Sequence, residues 1–86
     1  MEYRIKFKAS AAKEFRKLPA NIQKRLQIAI NALRNDPRPS GSIKLKGSEQ
    51  LYRIRLGDYR VVYGVDDAIQ VVFVTRVRHR RDIYKD

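Results

Sequence analysis

The sequence predicts an α+β domain in which two N-terminal helices pack on one face of a small antiparallel sheet, in the order β-α-α-β-β-β. Three observations predict it. Residues 1–8 alternate apolar and charged, residues 10–33 repeat apolar side chains at helical spacing, and a Gly-Asp pair joins two further alternating runs. A chain of 86 residues has room for one modest core, so residues 1–86 are expected to form a single domain.

Tyr3, Ile5 and Phe7 alternate with Glu2, Arg4, Lys6 and Lys8, the pattern of a strand with one buried face. Ser10 is the expected N-cap of a first helix carrying Ala11, Phe15 and Leu18, which Pro19 ends. Asn21 is expected to cap a second helix, striped by Ile22, Leu26, Ala29 and Leu33 and closed by Asn35, Asp36 and Pro37. Residues 38–49 hold Pro39, Ser40, Gly41, Ser42, Gly47 and Ser48 and read as a loop. Within it Ile43 and Leu45 should dip toward the core while Lys44 and Lys46 point outward.

Tyr52–Leu56 and Tyr59–Val65 read as strands joined by Gly57-Asp58, a two-residue connection whose leading Gly suits a type II′ turn. Pairing Leu56 with Tyr59 puts Tyr52, Ile54, Leu56, Tyr59, Val61 and Tyr63 on one face and Arg53, Arg55, Arg60 and Val62 on the other. The sheet should therefore have an oily side and a cationic side. Ile69–Arg76, apolar on both faces until Thr75, is expected as a central strand after a turn made by Asp66 and Asp67.

Lys and Arg number 20 against 9 Asp and Glu, a net charge of +11 that opposes compaction and favours polyanionic partners, nucleic acid first among them. No apolar run approaches a spanning helix and no secretory signal opens the chain, so a cytoplasmic location is expected. Cysteine is absent and His79 is the one histidine, which excludes disulfide frameworks, thiolate nucleophiles and sulfur-ligated zinc. No metal or other cofactor is expected.

Arg55 and Arg60 should stand directly across the hairpin, where like charges repel by about 0.2–1 kcal/mol. A phosphate between two guanidinium groups would turn that repulsion into bidentate hydrogen bonding; the alternative is a solvated charged face. After the last strand come Arg76, Arg78, His79, Arg80, Arg81 and Tyr84, a basic run ending in an aromatic. Alone it is a solvated tail. Crossing the cationic face, it would complete a site for strand transfer on RNA, which needs a base for the 2′-hydroxyl, a cation over the phosphorane and an acid for the leaving oxygen. Arg60, His79 and Tyr84 are candidates for those roles, and Tyr84 can also stack on a splayed base. Asp58, Asp66 and Asp67 in turns, and Glu14 on a helix beside Lys13 and Lys17, read as structural or solvated carboxylates.

LYRIRLGDYRVVYGV followed by VVFVTRVRHRRDIY resembles the C-terminal half of the RelE toxins, and FKASAAKEFRKLP resembles their first strand and helix. Shorter pieces also resemble the related ParE toxins. The RelE resemblance implies a metal-independent mRNA interferase of a type II toxin–antitoxin system, which cuts messages in the ribosomal A site, leaves a 2′,3′-cyclic phosphate and so inhibits translation. It implies a RelB-like antitoxin whose disordered segment folds across the cationic face. By position, Arg60 matches the arginine that supports the phosphate, Arg78 an arginine assigned to proton transfer or charge stabilisation, and Tyr84 the tyrosine that stacks and assists attack. Arg53 and Arg55 stand where the best-known member has two lysines. Arginine stays protonated and is a poor base, so the imidazole of His79 is the alternative base. Lys44, Lys46, Arg53, Arg55, Arg80 and Arg81 complete the expected RNA-binding set. The ParE resemblance implies the rival reading, a DNA gyrase inhibitor without nuclease chemistry, and a plain nucleic-acid-binding module is the third.

Overall fold

The computed structural model describes residues 2–45, 47, 50–79 and 81. The elements run β1 (Arg4–Phe7), α1 (Ala9–Arg16), α2 (Ala20–Ala32), β2 (Ile43–Lys44), β3 (Leu51–Leu56), β4 (Tyr59–Asp66) and β5 (Val71–His79). The five strands form one sheet in the order β1-β5-β4-β3-β2. Both helices lie on one face, because Ala11 of α1 and Leu26 and Ile30 of α2 share a buried cluster with Val61, Tyr63, Val65, Val72, Val74 and Val77.

The α+β class and its element order hold, and the sheet differs from expectation in two ways. It is mixed, since β1 pairs with β5 in parallel while every other pairing is antiparallel. It also gains β2, whose residues pair Ile43 with Arg53 and Lys44 with Tyr52. That register turns Ile43 away from the core, and it is 48% exposed. Two residues are too short for a periodic signal, and a short strand at a sheet edge limits pairing with other chains.

The helix starts also shift. Lys8 and Pro19 occupy the N-cap positions and neither makes a side-chain cap, so Ser10 and Asn21 each sit at the second helical residue. Pro19 needs no amide bond there, and its fixed φ leads the chain directly into α2. Gln23 closes the break, its Nε2 donating to the Leu18 carbonyl at 2.8 Å and the Arg16 carbonyl at 3.2 Å. Ile30, which the predicted stripe omits, is fully buried.

One end of the sheet is tied to the segment after α2 by a polar clamp. Arg38 donates from Nη1 and Nη2 to the Asp67 carboxylate at 3.2 and 2.7 Å, and from Nε to Tyr52 Oη at 3.0 Å, with its guanidinium 5.3 Å from the Tyr52 ring centre. Tyr3 donates to Asp67 at 2.7 Å. The Arg38 hydrogen bonds, then that of Tyr3, hold the Asp67 carboxyl below its usual value, and the same contact raises Tyr3. Beside the clamp, the buried Tyr63 hydroxyl donates to the Pro37 carbonyl at 2.7 Å, and burial pushes its pKa up to about 12.

Candidate nucleic-acid interface

The hairpin register places the cationic side. Leu56 pairs with Tyr59 across Gly57, whose φ of 60° is the left-handed value the turn requires. Arg55 therefore stands opposite Arg60, and Arg60 opposite Arg78 on β5. Directly opposed residues share a face, so these three form one row across β3, β4 and β5 on the side without helices. The next row is Ile43, Arg53, Val62 and Arg76, and the one beyond it Leu51, Gly64, Phe73 and Lys6. Gly64 keeps that row low. A Cβ there would sit 3.5 Å from a Leu51 methyl, and Phe73 beside it stays 38% exposed.

Three guanidinium nitrogens in these rows, Arg60 Nε, Arg53 Nη1 and Arg78 Nε, are buried and make no hydrogen bond among the described residues. Buried cationic donors are ordinarily paired, so the orientation of the Arg60 and Arg53 nitrogens favours an anion brought by a ligand. The Arg78 Nε has an ion-pair contact instead, 3.3 Å from a Glu14 carboxylate oxygen.

A bulge decides which of the closing basic residues joins the row. Between Val62 and Tyr63 the β4–β5 register shifts, and Thr75 Oγ1 donates to the Val62 carbonyl at 3.2 Å. Past it Arg76 and Arg78 lie on the open face while Val77 is buried. His79 pairs with Tyr59 and so lies on the helix-bearing side, opposite to the expected placement beside Arg60. Its ring meets Tyr59 edge-on at 5.0 Å, and its Nδ1 accepts the Arg81 amide at 3.1 Å. Lys44 likewise shares the Tyr52 side rather than that of Arg53. Arg81 is exposed. Lys46, Arg80 and Tyr84 lie outside the described residues.

The model of the ParE toxin of the type II toxin–antitoxin system parDE matches residues 5–84. The mRNA interferase toxin RelE of Escherichia coli K12 is 36% identical, the alignment covering 100% of this chain and 94% of that one. Toxin RelG of Mycobacterium tuberculosis is 31% identical over 99% of both chains. This chain belongs to the RelE-type toxins. Among solved structures, the RelE–RelB complex of Pyrococcus horikoshii is similar at a TM-score of 0.81 and 34% identity, covering 93% of this chain and 97% of that one. The intact RelBE toxin–antitoxin complex of E. coli matches at 0.81 and 35%, covering 90% and 95%.

In this RelE-type toxin the residue that sequence reasoning undervalued is Glu14. Of the two expected roles, structural or solvated, it has the structural one: it accepts the Val77 amide on Oε1 at 2.9 Å and pairs with Arg78. The usable signal was its place three residues after the fully buried Ala11, which puts it at the margin of the apolar stripe.

Proposed function

We propose that the protein is a ribosome-dependent endoribonuclease that cuts messenger RNA in the ribosomal A site without a metal. The 2′-oxygen bonds to the adjacent phosphorus, the bond to the 5′-oxygen breaks, and the products are a 2′,3′-cyclic phosphate and a 5′-hydroxyl. The observation that carries this is the row Arg55, Arg60 and Arg78, with the Arg60 Nε buried and lacking an acceptor among the described residues. Arg60 holds the scissile phosphate, Arg78 stabilises the charge that builds on it, and Arg53 and Arg55 hold flanking phosphates. Tyr84 stacks on a base and assists the attack. The position of His79 behind the sheet favours a supporting task, ordering the chain at Arg81, over that of base at Arg60. Names carried by relatives support the activity, since the E. coli protein is an mRNA interferase.

The partner proposed is a RelB-like antitoxin, like the one in the similar RelE–RelB complexes, and the charge of the arginine rows favours an acidic segment of that partner lying over them. Both partners are placed in the cytoplasm. Primer extension on a translated message should show discrete cuts that Arg60→Ala and Tyr84→Phe weaken and that untranslated message lacks. Unchanged cutting by both variants would remove the assignment. The description of the matching family model supports a second reading, a ParE-like gyrase inhibitor, whose mark is gyrase-dependent DNA breakage with intact messages.

A further inference from the structure

β5 runs on past its parallel neighbour. The last β1–β5 pair is Phe7 with Val74, and the Lys8 amide still donates to the Val74 carbonyl at 2.8 Å. Beyond that point α1 packs against β5, and Glu14 supplies what a strand would have supplied, accepting the Val77 amide at 2.9 Å on Oε1. Its Oε2 lies 3.3 Å from the Nε of Arg78, the next residue, with the two side chains 29% and 26% exposed.

We propose that Glu14 is the positioning residue for Arg78. The inference rests on the phosphate-handling role assigned above to the arginine row. An arginine side chain has about 1.5–2 kcal/mol of rotamer entropy to lose, and one facing Arg60 is also pushed aside by like charge. The Glu14 carboxylate offsets both effects. It is itself fixed by the strand it serves, because one oxygen is bonded to the backbone immediately before the residue that the other oxygen holds. Chemistry at the site then depends on a carboxylate that touches no RNA.

The roles separate by substitution. Glu14→Gln keeps an oxygen for the Val77 amide and removes the charge, whereas Arg78→Ala removes the group being placed. Single-turnover cleavage on programmed ribosomes should slow by about 10–100-fold in Glu14→Gln, the cost of a misplaced group, while the half-saturating ribosome concentration moves by less than about twofold. The double variant should cut no more slowly than Arg78→Ala. In nitrogen-15 spectra the Arg78 Nε–Hε resonance should shift in Glu14→Gln. Wild-type cutting by Glu14→Gln, a further loss when it is added to Arg78→Ala, or an unmoved resonance would each overturn the proposal. If the wild-type protein fails to cut at all, the ribonuclease reading falls, and the resonance alone upholds or overturns the placement of Arg78 by Glu14.

Discussion

Replacing Arg60 by methionine should raise stability and slow cutting together. Methionine keeps an unbranched apolar stem on β4 and removes the guanidinium. The native side chain faces Arg55 in register, a like-charge opposition of about 0.2–1 kcal/mol. Its buried Nε, without an acceptor among the described residues, adds a desolvation penalty of about 1–3 kcal/mol. Discounted for the partial exposure of the side chain, relief of about 1 kcal/mol corresponds to a rise of about 4–8 °C in Tm for a domain of this size. Loss of a charge-stabilising donor should lower the cleavage rate by about 10²–10³. Differential scanning calorimetry and primer extension on one protein preparation measure both. Sulfate should raise the wild-type Tm by mass action and leave that of Arg60→Met nearly unchanged. A methionine variant that melts lower than wild type would refute the claim that the row is maintained at the expense of stability, and one that melts higher yet cuts normally would refute its use.

The remaining expectations concern the clamp, the core phenol and the wider cationic face. Because its hydrogen bonds lower the native pKa of Asp67, its contribution is present above the ordinary carboxylate range and lost as pH falls through it. The Tm advantage of wild type over Asp67→Asn should therefore be constant above pH ~5 and close toward pH ~3 in an acid melting series. Tyr63→Phe leaves the Pro37 carbonyl without its donor and should lower Tm by about 4–8 °C at neutral pH, the effect of about 1 kcal/mol. A raised phenol pKa favours the native state below the unfolded value, so that deficit should shrink as pH climbs from about 10 to about 12, followed by denaturant titration at each pH. Arg53→Ala and Arg55→Ala should each reduce the slope of log affinity against log salt for single-stranded RNA by about 0.7 if each contacts one phosphate. Unchanged slopes would remove those residues from the RNA path.

Local chemistry made most of this legible, and long-range pairing hid the rest. The period of two in residues 3–7 gave β1 a buried face, and Gly57-Asp58 gave the hairpin its register, so the opposition of Arg55 and Arg60 followed from adjacent sequence. Nothing near β1 says that it lies parallel to a strand more than sixty residues later, because that pairing is set by how α1 and α2 pack rather than by any turn. The helix caps differ from expectation for a related reason. Ser10 and Asn21 have the right side chains, but Lys8 and Pro19 already have the extended backbone that starts each helix.

The site itself turns on a residue with no chemistry of its own. Counted strictly by twos from the buried Val72 and Val74, β5 would send Arg76 and Arg78 into the helix-bearing side and leave His79 on the open one. One extra residue at Thr75, its hydroxyl bonded to the Val62 carbonyl, reverses that parity. Val77 is then buried to 2% exposure, Arg78 joins Arg60, and His79 packs on Tyr59. A histidine in a basic run invites assignment as a base, yet its face depends on an irregularity that alternation cannot reveal. The same bulge presents Arg78 where Glu14 can reach both its side chain and the amide before it. The local break in the ladder is therefore what brings a carboxylate from the first helix to the arginine row.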